Sequence, residues 1–414
     1  MQPLPATESR RGNLALCLFV AVNLLNYIDR QMLYAVFPLL KRDFALSDAA
    51  LGALGSAFMV SYLVTAPLFG WLGDRGNRVR LAAGGFLVWT CTTALSGLAG
   101  SYRALLFARS AVGVGEASFG TVSPGLLADC YPDRKRGHLM AMLYLAIPVG
   151  SALGYILGGV IGARWGWHAA FLAAGVGGLA LAIPLAMLKE PPRGGGGDGG
   201  KANAPPAAKD YLALLRNRPY VLNTAAMTAM TFAMGGLAQW APTFLVRDHG
   251  IELARGNTIF GGLTVVAGIA GTLAGGWLGE KARRRRPDGH LLVSGFGFLA
   301  GVPIAAWAIL TPSTTGCLAA IFLAELFLFL NTAPLNTTTL DVTDPAVHSM
   351  AFAANIFVIH ALGDALSPTL LGWLSDRWGL RHALLVTPAA LAVAGAFCFL
   401  CAKSVREAGG GKSA

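Results

Sequence analysis

Four charged residues stand where an apolar chain gives them no ordinary reason to be: Asp29 and Arg30 in one hydrophobic stretch, Arg109 and Glu116 in another. A charged side chain at the centre of a bilayer costs about 2.5–3.5 kcal/mol on insertion scales, so each needs a cavity, a partner or a task. Arg109, Gly113 and Glu116 are spaced i, i+4, i+7 and share one helical face. Asp29 and Arg30 complete a cluster of two acids and two bases. One chemistry open to such a cluster is a static ion-pair staple between two helices. The other is proton exchange, because burial favours a neutral carboxyl and a neighbouring guanidinium favours a charged one. A cluster whose packing changes between two states then converts a proton gradient into a conformational bias. The second reading is preferred: Asp29 and Glu116 carry the proton, and Arg30 or Arg109 is freed to meet an anionic headgroup. Asn26 and Tyr27 precede the pair on the same stretch and join it as polar lining.

Further along, His360 and Asp364 lie one helical turn apart and share a face, suited either to relaying a proton or binding substrate, or to a buried hydrogen bond. Glu325 lies deep in another apolar run and is a second coupling candidate if it faces a cavity. Gly150, Gly154 and Gly158 form a small-residue stripe that permits close helix contact and, with Pro148 nearby, a hinge.

These residues must be positioned by helices in lipid. The chain has 414 residues, 55% of them hydrophobic and only 13% charged, with a mean hydropathy of +0.57. Runs of about 20 apolar residues span a bilayer as helices that satisfy their own backbone hydrogen bonds. Twelve such windows are present, near 14–36, 48–72, 79–99, 103–128, 138–161, 168–188, 220–246, 257–279, 290–311, 315–340, 347–374 and 382–402. The chain thus reads as an all-α membrane protein of twelve transmembrane helices in two pseudo-symmetric six-helix bundles. Residues 1–188 and 219–403 are the bundles, 189–218 a Gly- and Pro-rich cytoplasmic linker, and 404–414 a cytoplasmic tail.

The hexapeptide Gly70-Trp71-Leu72-Gly73-Asp74-Arg75 recurs as Gly276-Trp277-Leu278-Gly279-Glu280-Lys281 and as Gly372-Trp373-Leu374-Ser375-Asp376-Arg377. Arg164-Trp165-Gly166 recurs as Arg377-Trp378-Gly379, so the halves repeat one another in register, with three-helix units inside each. Asp74, Arg75, Arg78, Asp376 and Arg377 are expected to gate: Asp74 can accept hydrogen bonds from the N-terminus of a neighbouring helix or pair with an arginine across the two halves, holding the cytoplasmic side shut. Basic residues concentrate in alternate loops, which places both termini in the cytoplasm.

The formal net charge of +11 resides in those short loops, and Arg283 to Arg286 read as a topology anchor, so no nucleic-acid partner is implied. The first window contains Asp29 and Arg30 and should stay as a helix, not be cleaved as a leader. Cys17, Cys91, Cys130, Cys317, Cys398 and Cys401 lie in or at the ends of apolar windows; neither disulfides nor a metal site is implied, and Cys398 and Cys401 read as packing. No phosphate-binding loop supports an ATP-driven pump, and no nucleophile accompanies His360 and Asp364 to make a hydrolase. No enzyme activity or cofactor is expected.

The twelve windows, the central linker and the Gly-x-x-x-Asp-Arg turn resemble the major facilitator superfamily of secondary transporters, with Asn77 standing where that turn has a glycine. Four strings resemble its spinster branch: Asn26-Tyr27-Ile28-Asp29-Arg30, Arg109-x-x-x-Gly113-x-Gly115-Glu116-Ala117, Ile147-Pro148-Val149-Gly150 with Gly154, and His360-x-x-Gly363-Asp364-x-x-Ser367-Pro368. The resemblance implies proton-linked transport of sphingosine phosphate or lysophospholipids by alternating access. Few polar residues line the apolar helices, which suits an amphipathic substrate. A proton-coupled multidrug or organic-anion antiporter of the same superfamily is the alternative. A monomer in a bacterial inner membrane, with protons and a lipid-like molecule as its partners, completes the expectation.

Overall fold

The computed structural model describes residues 6–129, 133–191 and 208–410, and among these every regular element is a helix. The elements are α1 (Ala6–Ala35), α2 (Phe37–Phe44), α3 (Asp48–Arg75), α4 (Arg78–Ser96), α5 (Tyr102–Asp129), α6 (Asp133–Ala186), α7 (Ala208–Arg216), α8 (Arg218–His249), α9 (Leu253–Arg283), α10 (Gly289–Leu310), α11 (Thr314–Leu330), α12 (Thr332–Asp341), α13 (His348–Ile359), α14 (Ser367–Trp378), α15 (Leu380–Leu384) and α16 (Val386–Gly410). Among the described residues, eight helical spans are long and apolar enough to cross a membrane by length and composition. Polar caps start several helices: Asn77, Asn217 and Ser313 accept from the backbone N–H groups of Arg80, Tyr220 and Gly316 at the heads of α4, α8 and α11.

The expected windows fall on these helices with instructive departures. The fifth and sixth are the two arms of α6, broken at Gly166 (φ 83°, ψ 163°), while Pro148 sits inside the first arm. Gly379, its repeat partner, has nearly the same backbone (φ 81°, ψ 154°), so the halves share a conformation as well as letters. Both angles lie in a region that L side chains rarely adopt. The tenth window is interrupted at Asn331, between α11 and α12. The eleventh contains a π-helical turn at His360–Asp364, in which the Ala365 N–H reaches back to the His360 carbonyl at 3.0 Å. Pro368, at the start of α14, lacks the N–H that would bond the Asp364 carbonyl, so the helical ladder loses a bond just where the π turn ends.

Most of the expected linker, 192–207, and Cys130 lie outside the described residues. Residues 208–216, expected to be flexible, are the helix α7, because Leu214 packs into an apolar cluster with Tyr220, Met350 and Ala351. The tail expected from 404 continues α16 as far as Gly410. Cys398 and Cys401 are buried free thiols; the Cys401 thiol donates to the Pro219 carbonyl at 3.2 Å.

Contacts divide the chain into two compact units. The first comprises the described residues within Met1–Leu46, Ala53–Ala202 and Glu252–Gly261; the second comprises those within Ser47–Gly52, Asn203–Ile251 and Gly262–Ala414. In the first, the stripe of Gly150, Gly154 and Gly158 lies against α1. A Cβ on Gly150 would come 2.7 Å from the Leu24 carbonyl oxygen, one on Gly154 2.6 Å from that of Ile28, and one on Gly158 2.8 Å from the Ala35 Cβ. The stripe therefore brings α6 into backbone contact with the segment that carries Asp29 and Arg30. Gly154→Val should force these helices apart at a cost of about 1–3 kcal/mol, lowering the melting temperature in detergent, whereas Gly177→Ala, at an open position of the same helix, should leave it unchanged.

Candidate functional site

The charged residues of α1 and α5 form two ion pairs inside the first unit. Arg109 Nη1 lies 3.1 Å from Asp29 Oδ1, with both side chains 1% exposed, and Arg30 Nη2 lies 2.8 Å from Glu116 Oε2. The glycines between Arg109 and Glu116 explain how the neighbours arrive. A side chain on Gly113 would collide with the Phe58 backbone carbonyl, and one on Gly115 would stand 2.6 Å from the Trp89 backbone nitrogen. With no side chain at either position, α3 and α4 close on α5 from two sides.

From α4 come two donors to Asp29: Trp89 Nε1 at 2.8 Å and Thr93 Oγ1 at 2.7 Å, both to Oδ2. With Arg109 on Oδ1, this carboxylate accepts from three groups and is held in place. From α3 come two rings. The Arg30 guanidinium lies 4.8 Å from the Phe58 ring centroid and 5.6 Å from that of Tyr62, with Tyr27 of its own helix at 5.3 Å. Three rings and one carboxylate thus enclose Arg30, which is nevertheless the cluster's most accessible member, at 17% of its side chain.

The acids differ in how fully they are satisfied. Glu116 receives both Nε and Nη2 of Arg30 on Oε2, while its Oε1 is buried without a partner. Asp29 thus has both carboxylate oxygens engaged, whereas Glu116 has one of its two. Asn26 is buried close by. Trp89, Thr93, Phe58 and Tyr62 were missed in the sequence, although each pair has i, i+4 spacing on its helix; apolar windows hold many such pairs, and nothing local marks these.

In the second unit, His360 Nδ1 meets the Asp364 carboxylate at 2.9 and 3.0 Å across the π turn, and both side chains are partly exposed. Glu325 is buried, with Oε1 accepting from Thr264 Oγ1 at 2.9 Å. In the repeated hexapeptides the terminal cation lies over the tryptophan: Arg75 over Trp71 at 4.6 Å, Lys281 over Trp277 at 4.7 Å and Arg377 over Trp373 at 3.7 Å. All three tryptophans are exposed, as expected of aromatic residues at a lipid–water boundary.

Asp376 accepts the Asp48 and Ala49 N–H groups at 2.7 and 2.9 Å, and the Asp48 carboxylate is in turn gripped by Ser375 and by Arg247, bidentate at 2.6 and 3.0 Å. Asp74 is exposed at the end of α3. Arg78 braces its own unit by pairing with Asp129 at 2.7 Å and Glu190 at 3.0 Å. Burial works against its charge, but the two carboxylates prevail and raise its pKa.

Charge among apolar helices is tolerated on inward faces where it is paired, and both pairs meet that condition. Comparison with known proteins gives the lineage. Residues 19–368 match the family model of the Major Facilitator Superfamily. Spinster homolog 3 of Danio rerio is 35% identical over 395 residues, covering 90% of this chain and 79% of that protein.

The chain belongs to the spinster family of the major facilitator superfamily.

Spinster homolog 1 of Homo sapiens is 34% identical over 398 residues, covering 91% of this chain and 75% of the relative. Among solved structures, a bacterial homolog of the human lysosomal transporter spinster, inward-facing and unoccupied, superposes with a TM-score of 0.88 at 22% identity over 96% of this chain and 98% of that one. A nucleoside transporter superposes with 0.73 at 13% identity over 94% and 99%. The fold is that of the superfamily, and the chain is an integral multi-pass secondary transporter for a small molecule, not an enzyme.

In this spinster-family chain the two pairs should differ in stability. Asp29→Asn leaves Arg109 buried without its anion, which costs about 3–5 kcal/mol, while Glu116→Gln leaves the partly solvated Arg30 and should cost less. Thermal unfolding in detergent should therefore show the larger loss for Asp29→Asn.

Proposed function

We propose that the protein is a proton-coupled carrier of an anionic or zwitterionic lipid-like amphiphile, working by alternating access, with Glu116 as the proton-exchanging acid and Arg30 as the headgroup-binding cation. The observation that carries this is the setting of Arg30: one carboxylate, three rings and residual exposure. When Glu116 takes up a proton, the charge that holds Arg30 is removed while the rings keep the guanidinium in position. A phosphate oxygen can then replace the carboxylate, and loss of the proton returns Arg30 to Glu116 and expels the headgroup. Proton and anion thus compete for one cation.

Asp29, named beside Glu116 as a coupling acid, takes the supporting part here. Three donors occupy it, and its service is to keep Arg109 and α4 fixed on α1. The lipid-like class of substrate rests on the family resemblance and on the apolar lining. Asn26 and Tyr27 line the approach to the cluster, and the His360–Asp364 pair at the π turn is the substrate or proton contact of the second unit. The stripe of Gly150, Gly154 and Gly158 with Pro148 supplies the sliding surface. Asp376, through its cap on α3, is the gating residue, with Asp74 its counterpart; Arg75, Arg78 and Arg377 hold those ends in place. Both termini lie in the cytoplasm of a bacterial inner membrane, and the working unit is a monomer that requires no metal or cofactor.

Purified protein in liposomes tests the proposal with lysophosphatidylglycerol as probe. Glu116→Gln should retain exchange without a gradient while pH-driven flux falls ~tenfold or more, and Arg30→Gln should lose both. Full pH-driven flux in Glu116→Gln would remove the acid from the mechanism. Dye efflux unaffected by lysolipid would favour a multidrug antiporter.

A further inference from the structure

The second unit holds a buried acid of another kind. Glu325 sits in the C-terminal half of α11 and is 8% exposed; its Oε1 accepts from Thr264 Oγ1 of α9 at 2.9 Å, and its Oε2 is buried without a partner. No cation compensates it among the described residues. α11 has no basic residue at all. The charged residues of the helices around it stand in first or last turns: Arg218, Arg247, Asp248 and His249 on α8, Arg255, Glu280, Lys281 and Arg283 on α9, His290 on α10 and Asp341 on α12.

What encloses Glu325 is a face of α9 on which Thr264 is the polar member and Gly268, Gly271 and Gly275 follow at helical spacing. A Cβ on Gly271 would stand 2.5 Å from the Leu326 carbonyl oxygen, one on Gly275 would overlap the Leu330 carbonyl, and Gly268 lies under the Phe329 ring. α9 and α11 therefore meet backbone to backbone just beyond the carboxyl, and lipid and water are shut out together. An isolated ionised carboxylate in such a place costs far more than the single hydroxyl hydrogen bond it receives can return.

We propose that Glu325 and Thr264 form a second proton-carrying site, wholly within the second unit, that holds its proton while α9 and α11 are in contact and releases it to water when they part. The inference rests on the proton-coupled reading above and adds one proton per cycle to it. The two acids are controlled differently. Glu116 is compensated by Arg30, and so it responds to substrate; Glu325 has no counter-ion among the described residues, and so it responds to water access. In the release step the Glu325 O–H bond breaks, the proton passes to an entering water, and the carboxylate left behind is solvated by that water and Thr264.

The test uses the full-length protein in two measurements. Infrared spectra at neutral pH should show the carbonyl stretch of a protonated carboxyl that is lost in Glu325→Gln, retained in Glu116→Gln, and displaced in Thr264→Val as its hydrogen bond disappears. Reversal of lysophosphatidylglycerol flux in liposomes under imposed pH gradients should give one proton fewer per lipid in Glu325→Gln than in wild type. A band that survives Glu325→Gln, or an unchanged proton ratio, overturns the proposal. Thr264→Val keeps the spectroscopic test available if Glu325→Gln does not fold. Absence of any pH-driven flux in wild type would instead sink the coupling reading, while the infrared band still decides whether Glu325 holds a proton.

Discussion

Charge compensation inside a low-dielectric bundle is the constraint on which the rest of this structure depends. Asp29 and Arg109, each 1% exposed, are tolerable only because they face one another and because Trp89 and Thr93 supply the remaining donors. That requirement fixes the rotation of α1 and α5 about their axes, since neither can turn without stranding a charge, and that of α4, which would otherwise leave Asp29 short of two donors. Arg30 and Glu116 sit on the same two helices one step away, where the compensation is incomplete: one oxygen has no partner and the cation has some exposure. A rigid pair beside a labile one gives the labile pair a fixed frame in which to change state.

Glycine sets the distances that make this possible. Gly113 and Gly115 lie between Arg109 and Glu116 and admit Phe58 from α3 and Trp89 from α4, so the string that spaces two charges also defines what surrounds them. Gly154 does the same between α6 and α1, and Gly271 between α9 and α11. In lipid, where apolar burial gives little drive for helix association, such close approach is what holds helices together.

The repeated hexapeptide shows one sequence unit serving two physical ends. Its Trp and its terminal cation stack in all three copies and suit the membrane boundary. Its acid in the third copy caps α3 through the Asp48 and Ala49 N–H groups, hydrogen bonds reinforced by the positive end of the helix dipole.

The sequence alone determined the class and the repeat, because hydrophobic length, loop charge and recurring turns are local properties that lipid reads directly. It also determined which charges are anomalous, since Asp29, Arg30, Arg109, Glu116 and Glu325 stand out against any apolar window. It said less about where order ends: α7 looked like linker, and its helix depends on Leu214 finding Tyr220, Met350 and Ala351 far along the chain. Only the tertiary structure decided who partners whom. Asp29 chose Arg109 and not the adjacent Arg30, three rings closed around Arg30, and Glu325 found a threonine where a cation was absent. Those outcomes follow from the rotation and approach of whole helices, and the spacing of residues along one helix carries no record of the face another helix will present.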